Sequence, residues 1–591
     1  MMLSELRHTR WYLSLVVLVA LLAVACGAAT TATPAPTAVL QPTSTPPPRA
    51  TATVAPTATP LPSGITSARD SITLVMPEEP IQLSSLDSLG ASLNQAVTKS
   101  NVQDPLAWQS GDDLRIVPTT ATTGWEQVDA DTWRFTLRQG VKFHNGEPFN
   151  AQTALPSMLS NGNPASVNNS INYTGPFSAV AVDDYTVDVN CNQPCPIFPS
   201  TAFFVEFEAP DWYANASEEE RAVQSIGVGP YKQVDWISGV SITHEAYDDY
   251  VPAGDHFEFQ KALIRDATWV WRGEPLVIAA MIQTGEADIG WDVSVDAVGS
   301  VPANMLRAGT SAEAYSMTMD TMWHPELQKK QVRQAIVHAV NCQELADSLY
   351  GGYTTCRGNI IWPGIIGATE DNTRPYEYNP DLSRQLLQEA AYNPANSITI
   401  NMRAARVAKQ IEISEAIVGY LKDVGMNVEF QVVESSIRSA MTQCGVGKAL
   451  QEVLEASGRD PKVDTPNTND MRAAVAKGGS DCTFVQLMGN QPSNETLDFG
   501  RQANYYMNCT SIRSMFCDPS PGGAQEKISA ALAASGEERL QRMQELADIF
   551  HEEVVMLTLF DLPVFYAVDP KLNWEPRLDP NVRVSAMWFS E

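Results

Sequence analysis

One stretch of the sequence constrains the fold more than any other, because its hydrophobic period changes from strand-like to helical and back. Ile398 to Met402 reads as a strand, and Ile413, Ala416, Ile417, Tyr420, Leu421 and Val424 line one face of a helix. Gly425 stops that helix, and Val428 to Val433 supplies the next strand, so the stretch makes one βαβ unit. The same alternation of short strands and amphipathic helices runs from about Thr66 to Glu591, the pattern of α/β lobes. Thr132 to Arg138 alternates strictly, placing Trp133, Phe135 and Leu137 on one face of a half-buried strand, and Asn145-Gly146 marks the turn that follows. Tyr185, Val187 and Val189 repeat the period of two. Val332, Ala335, Ile336, Ala339 and Val340 form one helical stripe, and Leu540, Met543, Ala547 and Phe550 form another before a strand from Val554 to Leu559. These stripes face a core by their spacing and imply no cofactor.

The front of the chain cannot join that fold. Arg7, His8 and Arg10 precede an apolar run from Trp11 to Ala25 that ends at Cys26, too short for a stable bilayer span and suited to a cleavable export signal over 1-25. Leu22-Ala23-Val24-Ala25-Cys26-Gly27 resembles a bacterial lipobox, with its leucine one position early, which makes Cys26 the expected lipidation site. From Gly27 to about Ser63 the chain is nearly all Thr, Ala and Pro, so 26-65 is read as a tether with no means of burying a core. Pro-rich chain extends by roughly 3.1 Å per residue, enough to hold a folded body up to about 100 Å from a membrane.

Export agrees with the cysteines. Nine less Cys26 leave an even number that falls into neighbouring couples, Cys191 with Cys195, Cys342 with Cys356, Cys444 with Cys482 and Cys509 with Cys517. Neighbour pairing is preferred, although the sequence alone does not choose among the connectivities. No CxxC is present, and the seven histidines show no ligand-spaced cluster, so no metal site is expected. A net charge of −30 argues against a nucleic-acid surface; it could steer cationic ligands, but most of the 69 carboxylates are read as a solvated exterior. GxSxG and HExxH are both absent, which leaves an exported hydrolase without a nucleophile and base. Gly445-Val446-Gly447-Lys448 lacks the first glycine of a P-loop and has Ala449 where Ser or Thr should bind magnesium, so nucleotide hydrolysis belongs to another subunit. Residues 445-480 are dominated by polar residues, with one brief helical stretch near Met471 to Ala476, and read as a surface insertion.

Several segments carry a family resemblance. Gly124-Trp125-Glu126-Gln127-Val128-Asp129, leading through Trp133 to Leu137-Arg138-Gln139-Gly140-Val141-Lys142-Phe143-His144-Asn145-Gly146-Glu147-Pro148-Phe149, resembles the signature of the peptide/nickel-type (family 5) extracellular solute-binding proteins of ABC importers. Gly227-Val228-Gly229-Pro230-Tyr231, Met281 to Ile289, Val332 to Ile336 with Gly351-Gly352-Tyr353, Tyr378-Asn379-Pro380-Asp381, and Arg539 to Leu559 follow in the family's order. The resemblance implies a two-lobed periplasmic-binding-protein-like fold with an extra subdomain. On that analogy the main lobe takes 66-100, 216-310 and 556-591, the inserted subdomain 101-215 and the second lobe 311-555. It also implies a monomeric, extracytoplasmic receptor without enzymatic activity or cofactor. Such a receptor closes on a small ligand, a peptide in the first place, and passes it to permease subunits served by separate ATPases. An oligosaccharide, an opine-like compound or a metal chelate is the alternative cargo, and an adhesion or signalling role is the alternative output.

Ligand contacts suggested by family position are Glu78, Glu79, Trp108, Trp323, Trp362, Met488, Asn490 and Gln491. Peptide-binding members hold the ligand's ammonium with an aspartate in the stretch corresponding to Gly489 to Leu497. The acid present there is Glu495, which is the candidate substitute.

Overall fold

The computed structural model describes residues 65–591 apart from 88–94, 112–114, 166–170, 255, 292, 404–406, 483–484 and 579–580. The export segment, Cys26 and nearly all of the tether lie outside the described residues.

The βαβ unit read from the sequence is present. Strands Ile398–Arg403 and Val428–Val433 pair in parallel, and helix Gln410–Asp423 between them buries Ile413, Ile417 and Leu421. Gly425 sits at φ +93°, a left-handed turn open to a residue without Cβ. These strands form one side of a ten-stranded mixed sheet. Across it the order is Val428–Val433, Ile398–Arg403, Leu487–Asn490, Leu306–Met319, Met556–Val568, Ile289–Gly290, Ser71–Met76, Asp266–Trp271, Ser241–Ala246 and Tyr231–Ile237.

Two long strands, Leu306–Met319 and Met556–Val568, stitch the halves of this sheet together, and their flanks belong to different cores. Tyr315, Met317 and Met319 pack with Leu557, Leu559, Phe560 and Leu562 around the βαβ unit. Tyr566 and Val568 pack instead with Leu74, Trp269 and Ile289. Chain passage between these cores therefore lies near Leu562 and Pro563. The second of these strands starts two residues later than the sequence suggested, because Val554 takes φ +50° as a turn residue, and it continues to Val568. Pro563 is tolerated within this strand at the edge of a register shift, where a missing N–H costs little.

A separate antiparallel sheet holds Thr122–Gln127, Thr132–Leu137, Thr186–Asn190 and Ser178–Asp183 in that spatial order. Phe135 and Leu137 are buried, while Trp133 is half-buried with its Nε1 donating to the Cys195 carbonyl at 2.9 Å. Its core gathers Phe143, Phe149, Phe198 and Phe207, each worth about 1.5–3 kcal/mol on burial. Gly227 and Gly229 lie against the backbone of Asn101 and Val102, where an added Cβ would approach a carbonyl oxygen to 2.2 and 2.5 Å. That close approach accounts for the Gly-Val-Gly-Pro string.

All four neighbouring cysteine pairs are disulfides: Cys191–Cys195, Cys342–Cys356, Cys444–Cys482 and Cys509–Cys517. The third brackets residues 445–480, which are more ordered than their composition suggests. Helices Val446–Ala456 and Thr468–Ala476 pack Val446, Ala449, Leu450 and Ala474 against Cys509 and Cys517. Gly445 and Gly447, which read as loop, are demanded by the first helix's approach to its neighbour: a Cβ on Gly447 would lie 2.3 Å from the Ser511 carbonyl carbon.

Candidate ligand cleft

Between the two long strands the ladder is interrupted at Ser311 to Glu313, and the segment Pro492 to Glu495 is fastened there. Ala314 N donates to the Pro492 carbonyl at 3.1 Å, Asn494 N to the Ala312 carbonyl at 2.8 Å, and Asn494 Nδ2 to the Ile360 carbonyl at 3.0 Å. Gln491 Nε2 donates to Glu313, and Asn490 Nδ2 to the Tyr506 hydroxyl at 2.6 Å. Strand end, interrupted ladder and helix Gly500–Tyr506 thus present Glu313, Asn490, Gln491, Glu495, Arg501 and Tyr506 on one stretch of wall.

Side chains from the segment carrying the smaller sheet meet this wall. Gln109 Nε2 donates to the Glu495 carbonyl. The Arg501 guanidinium lies over the rings of Tyr173 at 4.5 Å and Tyr505 at 5.2 Å, and Tyr173 stacks on Phe204 with centroids 3.9 Å apart. Lys99 Nζ caps that column, 4.3 Å from both the Phe203 and Phe204 rings and 3.5 Å from Glu206. The Glu495 carboxylate accepts from Ser493 Oγ at 3.1 Å and from the Tyr173 hydroxyl, with Arg501 Nη1 at 4.0 Å. Burial, and after it the charge of Glu495, push the Tyr173 phenol above its ordinary pKa, so it stays a donor. Arg501 Nε is buried without a hydrogen-bond partner among the described residues, an unusual state for a guanidinium and one that a ligand acceptor would relieve.

Of the residues suggested by the sequence, Asn490, Gln491 and Glu495 come together here. Met488 is buried beneath them, its carbonyl accepting from Thr318 Oγ1 at 3.3 Å. Trp362 is buried in the loop fastened by Asn494, and its Nε1 has no partner among the described residues. The others are elsewhere. Glu78 is exposed beyond the first strand, and Glu79 holds a hairpin turn by accepting from Trp236 Nε1 at 2.9 Å and Gly239 N at 3.0 Å. Trp108 is fully buried between Phe203 and Phe259 and donates to Glu258 at 3.3 Å, while Trp323 packs on the 446–475 helices and donates to the Val475 carbonyl at 3.4 Å. Sequence reasoning missed Gln109, Tyr173, Glu313 and Arg501. A Gln beside a buried Trp, and an Arg ahead of the Tyr505-Tyr506 pair, were the faint signals. Among the described residues no group of three or more His, Cys, Asp or Glu could hold a metal ion, and no helix is long and apolar enough to cross a membrane.

The family model described as bacterial extracellular solute-binding proteins, family 5 (middle), matches residues 115–473, more than half of the chain. The chain belongs to this family. Family 5 proteins are the substrate-binding components of ABC transporters, which deliver ligand to permease and ATPase components from outside the cytoplasm. Among relatives, the glutathione-binding protein GsiB of Salmonella typhi is 26% identical over 375 residues, 61% of this chain and 69% of that protein. Solved structures of similar fold include HbpA2 from Haemophilus parasuis, with TM-score 0.71 and 17% identity over 88% of this chain and all of that one. DppA from Helicobacter pylori in complex with the peptide STSA has TM-score 0.64 and 18% identity over 88% of this chain and 98% of that one. At such identities the structures establish the mixed α/β, two-lobed fold and nothing finer. Asn490, Gln491, Glu495 and Arg501 all lie beyond the matched span, so family membership by itself assigns them no role.

Proposed function

We propose that this family 5 protein is a lipid-anchored, monomeric receptor that captures a small peptide or peptide-like ligand bearing a carboxylate. The observation carrying the ligand class is the pairing of Arg501, with its unsatisfied Nε–H, and Glu495 on one wall of the cleft. An acid beside a guanidinium suits a ligand that carries both an ammonium and a carboxylate. Arg438, whose Nη2 lies 3.5 Å from Asn490 Oδ1, and Arg513, 5.4 Å from the Tyr505 ring, add positive charge to this wall of a strongly acidic protein. Binding by closure follows from population shift: contacts made by both walls exist in the shut form alone, so ligand favours it. The glutathione-binding relative and the peptide-bound neighbour support the same class.

The test is mass spectrometry of ligand released from protein purified from its native cells, followed by thermal-shift titration with that compound and with short peptides. Arg501→Ala is expected to weaken binding by about 10- to 100-fold, the worth of one charge-assisted hydrogen bond. Stabilisation by a neutral oligosaccharide, with peptides inert and Arg501→Ala without effect, would overturn the ligand class. Lipid anchoring is tested separately: Cys26→Ser should release the protein from the membrane fraction.

A further inference from the structure

The two long strands are gripped unequally. Leu306 to Thr310 pairs with Ala567 to Pro563, and Ala314 to Thr318 pairs with Asp561 to Met556, with Ser311 to Glu313 outside the ladder. On the far edge of the second strand, Val293 N donates to the Phe565 carbonyl at 2.8 Å and Ile289–Gly290 pairs with Val568 and Ala567. Nearer its start, the same edge is covered by the segment Thr354 to Arg357. Arg357 N donates to the Leu559 carbonyl at 2.8 Å, Cys356 forms a bridge with Phe560, and Asp561 N donates to the Thr355 carbonyl at 3.1 Å. Thr354 Oγ1 donates to the Asp561 carbonyl, and the Arg357 guanidinium grips the buried Asp561 carboxylate through Nε at 2.9 Å and Nη2 at 2.8 Å.

The Cys342–Cys356 disulfide fastens this segment to the start of helix Cys342–Tyr350. Leu562 to Val564 is left uncovered on this edge between the two stretches: Leu562 lies opposite the interrupted ladder, its carbonyl accepting from Ser311 Oγ at 3.2 Å, while Val564 and Pro563, which has no N–H to offer, face Gly309 and Thr310. Tyr353 reaches past this gap once, with its ring edge-on to Phe565 at 5.3 Å.

We propose that the Cys342–Cys356 disulfide and the Arg357–Asp561 pair form a hinge clamp, which holds the second strand rigid through Asp561 and confines interlobe bending to Leu562–Val564 and Ser311–Glu313. The clamp sets the open–closed balance of the cleft without touching ligand. This rests on the two-lobed family fold and is independent of which ligand is bound.

Two variants of the full folded protein test it, Arg357→Gln with the disulfide intact and Cys342→Ser/Cys356→Ser, against Cys444→Ser/Cys482→Ser as a disulfide control away from the hinge. With no ligand present, amide exchange at Phe560 to Leu562 is expected to rise about tenfold or more in both clamp variants, for Arg357→Gln the worth of at least one charged hydrogen bond and for the double serine variant the loss of the covalent tie on the covering segment. Their small-angle scattering should shift toward a broader range of interlobe separations, and the control should match the parent in both readouts. Unchanged exchange and scattering in a folded Arg357→Gln protein would overturn the clamp, as would an equal response in the control. Because both readouts are taken without ligand, they fail or succeed separately from the ligand assignment.

Discussion

Replacing His244 by leucine should flatten one component of the acid sensitivity of this protein by a calculable amount. His244 is buried on strand Ser241–Ala246 facing Trp269, and neither ring nitrogen has a hydrogen-bond partner among the described residues. Burial, with a smaller contribution from His144, lowers its pKa from 6.5 to about 3. The unfolded chain takes up a proton as pH falls through 6.5, while the folded protein does not until pH nears 3, so the parent loses stability over that window. At about pH 5 the loss from this one group is about 2 kcal/mol relative to about pH 7.5. Glu208 and Asp561 work the other way: burial raises them to about 7 and about 6, so their folded forms hold protons that the unfolded chain has released, and acidification favours folding. The parent's curve alone therefore mixes signs, and the difference between parent and His244→Leu isolates the histidine. Urea unfolding followed by tryptophan fluorescence at the two pH values measures it. A parent-to-variant difference that stays constant to within about 0.5 kcal/mol would refute the reasoning, because the histidine would then be titrating alike in both states.

Two further outcomes concern the second lobe. Arg539 and Asp498 form a bidentate pair at 2.7 Å, with side chains 4% and 1% exposed, so Arg539→Ala strands a buried carboxylate and should cost about 3–5 kcal/mol in urea unfolding. Removing the Cys444–Cys482 disulfide, whose partners are 38 residues apart, should cost up to about 4 kcal/mol through loop entropy, with ligand affinity retained; proteolysis is expected to cut within 445–480 first.

The elements were largely legible because they are local. A period of two around Phe135 and Leu137, a stripe through Ile413, Ile417 and Leu421, and a glycine at a left-handed turn are each decided by neighbours in the chain. Helix Val446–Ala456 was obscured where its glycines answer to a backbone contact near Ser511, a partner more than sixty residues away in sequence. Cleft residues were the least legible. Trp108 and Glu79 look like ligand contacts by position, yet their polar atoms are taken up by Glu258 and by a hairpin turn, whereas Arg501 stands in an ordinary polar helix.

By itself the sequence determined the α/β class and the ordered family segments, and it offered the neighbouring cysteine couples as a preference that the structure closes as disulfides. Only the tertiary structure decided that Tyr173, more than three hundred residues away in sequence, would stack against Arg501, and that Thr354 to Arg357 would cover the hinge strand at Asp561. Periodicity reports which face of an element is buried. Which distant face it meets depends on how ten strands are ordered in one sheet, and that order is a property of the packed whole.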